Sequence, residues 1–267
     1  MIKMIWIIAF FMMWPAGGVF ADEYFAASAA GNEQVEQDLD ATVPSANEEI
    51  GEGDEDLDWL EEEEMIDEIA DPFEPLNRIS FGFNDKLYFW LIKPVAQGYA
   101  AIFPEGVRIS IKNFFSNVST PVRVVNNLLQ LKMGPAGKEL VRFGVNSTFG
   151  MGGFFDVARD ELEISVQDED FGQTLGAWGA GPGFYINWPV IGPSSLRDTI
   201  GQAGDHFLDP VNYVTPSLDR MAIKAGDGIN RASLAIGDYE EIKKDAIDPY
   251  KAVKDIYYQY RESRIDR

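Results

Sequence analysis

The 267-residue chain contains no cysteine. Disulfides, thiolate zinc sites, a cysteine nucleophile and a thioether lipid anchor are therefore excluded. Its single histidine, His206, rules out sites built on several histidines. Residues 22–71 hold 20 Asp or Glu and no Lys or Arg. From 72 to 267 the count is 24 acidic to 21 basic, so the formal charge of −22 belongs to the acidic segment. Neither part carries the basic footprint of a nucleic-acid binder. Phosphate-loop patterns are missing: the glycines around Gly150 form neither GxxxxGK[ST] nor GxGxxG, and they suit helix termination and close backbone approach instead. The apolar run Ile5–Trp14 is about ten residues, short of the roughly 20 that span a bilayer.

What the chain does have is a charge-free stretch from Phe171 to Leu196, FGQTLGAWGAGPGFYINWPVIGPSSL. Pro182, Pro189 and Pro193 forbid a continuous helix there. A loop this apolar is not left in water without an interaction to make. It is held against something greasy, either the protein's own core or a membrane. Within it, Phe184–Ile191 has the pattern for a short hairpin, which Pro189 limits.

In chain order, residues 1–21 read as a secretory signal, with Lys3, an apolar stretch and a small-residue cleavage site at Val19-Phe20-Ala21. The alternative is an uncleaved anchor. Residues 22–70 read as a disordered acidic linker, or more sharply as a tether that binds a basic partner or holds calcium weakly, though no ligand spacing is visible. The folded part begins at Asp71-Pro72. Phe73, Leu76, Ile79, Phe83, Leu87 and Trp90 follow helical spacing, but other faces are apolar too, so this helix is deeply buried or faces lipid. Pro94 predicts a break or kink near Lys93.

Further helices are expected over Val95–Phe103, from Glu105, from a Thr120-Pro121 cap, from Pro135, from Ser194 to about Gly204, over 216–236 and from Asp248-Pro249. Residues 157–170 read as polar loop. Asp168-Glu169-Asp170 lacks a calcium-loop register and reads as a helix N-terminal acid cluster. Arg108, Lys112, Arg123, Lys132, Lys138 and Arg142 form either a solvated face or a belt meeting anionic headgroups or a partner. His206 lacks a GxSxG elbow to work with and reads as a structural histidine. No metal or cofactor is expected, and the chain does not read as an enzyme.

Seven segments in order resemble one family. They are DPFEPLNR (71–78), FNDKL (83–87), KPVA (93–96), NSTFGMGGFFDVA (146–158), FGQTLGAWG (171–179), GPSSLRD (192–198) and DPYKAVKDIYYQYR (248–261). Together they cover about 71–262 and look like the MlaA/VacJ family, with 263–267 left as a tail. The resemblance implies an all-α, ring-shaped, membrane-embedded single domain with a short irregular hairpin loop. It would lie in the periplasmic leaflet of the outer membrane. It implies transport of phospholipid from the outer leaflet through an amphipathic channel to an MlaC-like periplasmic carrier, with trimeric porins as partners.

By that resemblance the channel loop is Gly179–Leu196, and within it Gly179, Gly181, Pro182, Gly183, Phe184, Tyr185, Trp188, Pro189, Gly192, Pro193 and Leu196. Asn146, Phe149, Gly150, Met151, Gly152, Gly153 and Phe154 would lie beside the channel. Most members carry a lipidated cysteine that this chain lacks. A lipid hydrolase built on His206 and a porin-binding scaffold without transport are the competing classes.

Overall fold

The computed structural model describes residues 68–265. The expected signal sequence and nearly all of the acidic segment lie outside the described residues. The architecture is helical with one two-stranded hairpin. The order is α1 (Glu74–Leu87), a π-helical turn (Tyr88–Ile92), α2 (Lys93–Ile102), α3 (Glu105–Val118), α4 (Thr120–Leu129), α5 (Met133–Thr148), α6 (Val157–Leu162) and α7 (Phe171–Ala177). Strands β1 (Tyr185–Trp188) and β2 (Gly192–Ser195) follow, then α8 (Leu196–Asp205), a 3-10 turn (Pro210–Tyr213), α9 (Ser217–Leu234), α10 (Asp238–Asp245) and α11 (Pro249–Ile265).

Several expectations are corrected in detail. Pro94 does not break its helix. The backbone widens into the π turn just ahead of it, with the Lys93 N–H donating to the Tyr88 carbonyl, and Pro94 falls in the first turn of α2, where its missing N–H is harmless. Thr120 does not cap α4. It is the first helical residue, and its hydroxyl accepts from Arg123 at 3.1 Å. Residues 157–162, expected as loop, form α6, capped by the Asp156 side chain accepting from the Arg159 N–H. The charge-free stretch opens with a helix, α7, capped by Asp170. Ile69 is buried and the Ala70 carbonyl accepts from the Tyr185 N–H at 2.8 Å, so two residues of the supposed linker pack with the domain.

Among the described residues, a conventional apolar core exists only where α1, the π turn, the hairpin, α10 and α11 meet. Ile69, Tyr185, Tyr250 and Tyr257 make one cluster, and Tyr88, Tyr239 and Val253 a second. Elsewhere the distribution is inverted. Among the described residues, 24 buried side chains are polar or charged against 12 hydrophobic ones, while 31 large hydrophobic side chains are exposed. Helix α1 turns Asn77 and Asn84 inward and Leu76, Ile79 and Phe83 outward. Helix α4 buries Thr120, Arg123, Asn126 and Asn127 and exposes Leu128 and Leu129. Helix α5 buries Glu139, Arg142 and Asn146 and exposes Leu140, Val141 and Phe143. Periodicity had located the apolar faces; the fold turns them outward.

The α1–π–α2 unit carries this stripe furthest, for roughly 40 Å at the helical rise. Ile79 is 70% exposed and Trp90 81%. No described helix is long and apolar enough to cross a membrane.

Asn77 is the test of the inward face. Its amide satisfies the buried Tyr185 carbonyl and Asn187 N–H together. Asn77→Ala leaves both unpaired, at about 1–3 kcal/mol each. Denaturation in detergent should show a loss of at least ~2 kcal/mol, whereas exposed Ile79→Ala should stay within about 0.5 kcal/mol; equal effects would refute the inverted packing.

Candidate functional site

The stretch from Gly179 to Leu196 divides into two parts. Strands β1 and β2 pair in antiparallel register, Tyr185 opposite Ser195 and Trp188 opposite Gly192. The irregular loop expected here is thus a regular hairpin in its second half. Pro189 sits just past β1 in the turn. Pro193 faces Asn187, whose own N–H points away from β2 to Asn77, so no ladder bond is asked of the proline. On that outer edge α1 takes the place of a third strand. Asn77 donates to the Tyr185 carbonyl at 3.1 Å and accepts from the Asn187 N–H at 2.8 Å. Two helical turns on, Asn84 donates to the Trp188 carbonyl at 2.9 Å and accepts from the Val190 N–H at 2.7 Å. This holds Val190 at φ 72°, a left-handed conformation that β-branched residues avoid.

Tyr185, Gly192 and Pro193 are buried, Tyr185 completely. The exposed half is the run from Ala177 through Gly183, where Gly179 and Gly183 take φ 89° and 74° and Pro182 is half-buried. Trp178 ties its start to α4, its indole N–H donating to the Leu129 carbonyl at 3.1 Å. Phe184 packs edge-on against Phe73, and Leu196 closes over Gly183.

The turn after α5 shows why its glycines are needed. A side chain on Gly150 would collide with the Asn146 and Phe155 carbonyls, and one on Gly153 with Asn117. Asn146 is buried, bonding Asp156 and the Ala158 N–H, each at 2.9 Å. Phe149, Met151 and Phe154 point outward, and Gly152 is exposed with them.

The six basic residues do not form one face. Arg123 and Arg142 are only 6% and 4% exposed. Arg123 bonds Glu139 at 2.7 Å and Arg142 clasps Asp156 at 2.8 Å. They are interior ion-pair partners, so neither belongs to an outward-facing basic belt. Lys132 pairs with Glu169, and Arg108 donates to the Ser233 carbonyl. Lys112 and Lys138 remain exposed.

A cavity of 240 Å³ lies between α3, α4, the start of α7, the end of α8, the 3-10 turn and α9. Its wall is mixed, with Phe115, Val122, Val211 and Ile223 among charged groups. No residue from 179 to 196 lines it. Six carboxylates do, and five have cationic partners: Asp168 with Arg264, Glu169 with Lys132, Asp170 with Arg261, Asp209 with Lys224 and Asp227 with Arg231. The sixth, Asp205, accepts from neutral donors, the Asn126 amide at 2.8 Å and the Phe171 N–H at 2.9 Å. Burial, then the charge of Asp170, pushes the Asp205 carboxyl up to about 7. Burial also opposes ionisation of Asp170, but the Arg261 guanidinium overrides it and holds that carboxyl well below the usual range.

Both amide atoms of Gln202 and the Nδ1 of His206 are buried with no hydrogen-bond partner among the described residues. Burial and the charges of Lys224 and Arg220 depress the His206 pKa, and with Nδ1 unbonded no acid orients the ring as a general base requires. Sequence reasoning passed over Gln202, Asp205 and Lys224. The available signal was the polar spacing Gln202, Asp205, His206, Asp209 along one helical face.

Fold and site together define a class: a helical domain with a charged, hydrogen-bonded interior, an apolar exterior and a strand hairpin clamped by asparagines. The family model "MlaA lipoprotein" matches residues 69–264, and the chain belongs to this family. It is 32% identical over 197 residues to the "Intermembrane phospholipid transport system lipoprotein MlaA" of Escherichia coli K12, covering 71% of this chain and 76% of that protein. An uncharacterized protein of Rickettsia felis is 34% identical over 199 residues, 74% of this chain and 79% of that one. A solved chain from work on the "Structural basis for maintenance of bacterial outer membrane lipid asymmetry" superposes with a TM-score of 0.65 at 30% identity, covering 73% of this chain and 99% of that one.

Asp205 gives the domain a distinctive pH dependence. Its carboxyl titrates near 7 when folded and near 3.9 when unfolded. The native state therefore holds the extra proton between those values, and stability falls as pH rises through that window. Asp205→Asn removes the penalty. Thermal unfolding in detergent should find the variant increasingly more stable than the parent from pH 5 to about 7, by up to roughly 1.4 kcal/mol per pH unit, with a plateau above. A difference independent of pH would refute this.

Proposed function

We propose that this chain carries phospholipid out of the outer leaflet of the outer membrane, through an amphipathic passage, to a soluble carrier in the periplasm. It thereby maintains lipid asymmetry. The single observation that carries this reading is the inverted packing. An exterior of 31 large exposed hydrophobic side chains has no stable place in water, and a polar interior suits a headgroup that must cross apolar surroundings. The name borne by the E. coli relative points the same way.

In this reading the domain sits in the periplasmic leaflet as a helical ring, with a trimeric porin as neighbour. The exposed loop from Gly179 to Gly183 is the part able to move, because Phe184, β1 and β2 are clamped. Phe149, Met151 and Phe154 stand beside the passage in contact with acyl chains. Lys112 and Lys138 are the exposed members of the six basic residues and meet headgroups at the outer surface. The outward stripe on α1 and α2 would serve a porin surface as well as lipid, which is what a pure scaffold would also need; lipid transfer between vesicles by the purified chain and a periplasmic carrier separates the two.

The stripe itself is tested with Ile79→Glu and Trp90→Glu. Both sites are exposed, so helix content and unfolding midpoint in detergent should hold. Each charge placed among acyl chains costs about 2.5–3.5 kcal/mol at the bilayer centre and less toward the interface. Vesicle flotation should therefore fall at least tenfold. Unchanged flotation would remove the membrane seat from the proposal.

A further inference from the structure

We infer that the cavity beside Asp205 seats the head of a zwitterionic phospholipid, the primary ammonium at Asp205 and the phosphate toward Arg123. This rests on the phospholipid reading and adds a headgroup preference to it.

The geometry is specific. Asp205 is the one cavity carboxylate without a cation among the described residues, and its Oδ2 accepts only the Phe171 N–H. Asn126, which holds Oδ1 at 2.8 Å, lies one helical turn after Arg123 on the same face of α4. Arg123 spends Nε on Glu139 and Nη2 on Thr120, and its Nη1 donates to no described residue while the side chain lines the cavity. An open acceptor for a cation and an open donor for an anion thus belong to residues lining one cavity.

The side chains of Gln202 and His206 line the same space. At 240 Å³ the space falls below the roughly 300–1,000 Å³ that encloses a drug-sized ligand. It fits a head, with Phe115, Val122 and Ile223 meeting the first carbons of the chains. A head with a phosphate and no ammonium leaves Asp205 uncompensated and adds a negative charge to a wall already carrying six carboxylates, so it is disfavoured.

The test uses the full chain in dodecyl maltoside with short-chain probes, dihexanoyl phosphatidylethanolamine and dihexanoyl phosphatidylglycerol. Glycerophosphoethanolamine and inorganic phosphate are water-soluble controls. Titration calorimetry should show the ethanolamine lipid binding at least tenfold tighter than the glycerol lipid. Glycerophosphoethanolamine should outcompete inorganic phosphate. Asp205→Asn should bring the two lipids within about threefold of each other through loss of ethanolamine affinity.

Equal affinity of the two lipids in the parent protein overturns the inference, whatever the variant does. So does an unchanged ratio in a folded Asp205→Asn, or inorganic phosphate binding as well as glycerophosphoethanolamine. If the parent binds both lipids equally, only the head assignment falls. If it binds neither, the phospholipid reading falls with it.

Discussion

One buried arginine organises the polar interior. Arg261 of α11 reaches Asp170 at 2.6 Å and Asp198 at 2.9 Å. Asp170 caps α7 and Asp198 stands in the first turn of α8, so one cation draws two helix N-termini together where their dipoles favour the two acids. Tyr257 donates to Asp198 from the same helix, and Arg197 adds a second guanidinium at 3.1 Å. Helices α7 and α8 then meet so closely that a side chain on Gly201 would strike the Gly172 backbone. Removing one member of such a pair strands the others without water, at about 3–5 kcal/mol. The clasp fixes the start of α8 against α7, and Asp205 at its other end accepts the Phe171 N–H beside the cavity.

From that clasp the inverted distribution follows. Charged groups are placed inside only with partners: Arg123 with Glu139, Arg142 with Asp156, Arg231 with Asp227. They occupy the inward faces of α4, α5 and α9, and the apolar residues of α4 and α5 are left to the outside. In water such an arrangement forgoes the burial that drives ordinary folding. Among lipid chains it is the economical one, since lipid solvates the exterior and the interior satisfies its own polar groups.

The sequence makes the helices legible and leaves their orientation open. Pro121, Pro135 and Pro249 lie at or near helix starts, and the 3.6-residue spacing of Leu76, Ile79 and Phe83 marks a face. Periodicity says which face is apolar and not which way it points. Only the partners of Asn77, Arg123 and Arg142, brought from 14 to 110 residues away in the chain, settle that. The hairpin was visible in Phe184–Ile191, but its clamp was not, because two asparagines seven residues apart look like ordinary polar breaks in an apolar helix. The cavity was hidden for the same reason: its walls come from six separate elements. Asp205 stands out only once every neighbouring carboxylate is seen to have a cation.

The missing cysteine bears on how such a domain stays in place. Relatives in this family are named lipoproteins, and these 267 residues offer no thiol to acylate. A single acyl chain gives marginal, reversible binding, with a constant of about 10⁴ M⁻¹, or roughly 5–6 kcal/mol at 1.4 kcal/mol per tenfold. Each large apolar side chain moved fully from water contributes about 1.5–3 kcal/mol. Leu76, Ile79, Trp90, Ile102 and Phe149 are all at least 62% exposed, so even partial burial of these five reaches the strength of one chain. Many more exposed side chains lie on α2, α4 and α5. For the membrane seat proposed above, the outward faces of the helices therefore match a lipid anchor in strength, and among the described residues no helix is long and apolar enough to cross the membrane.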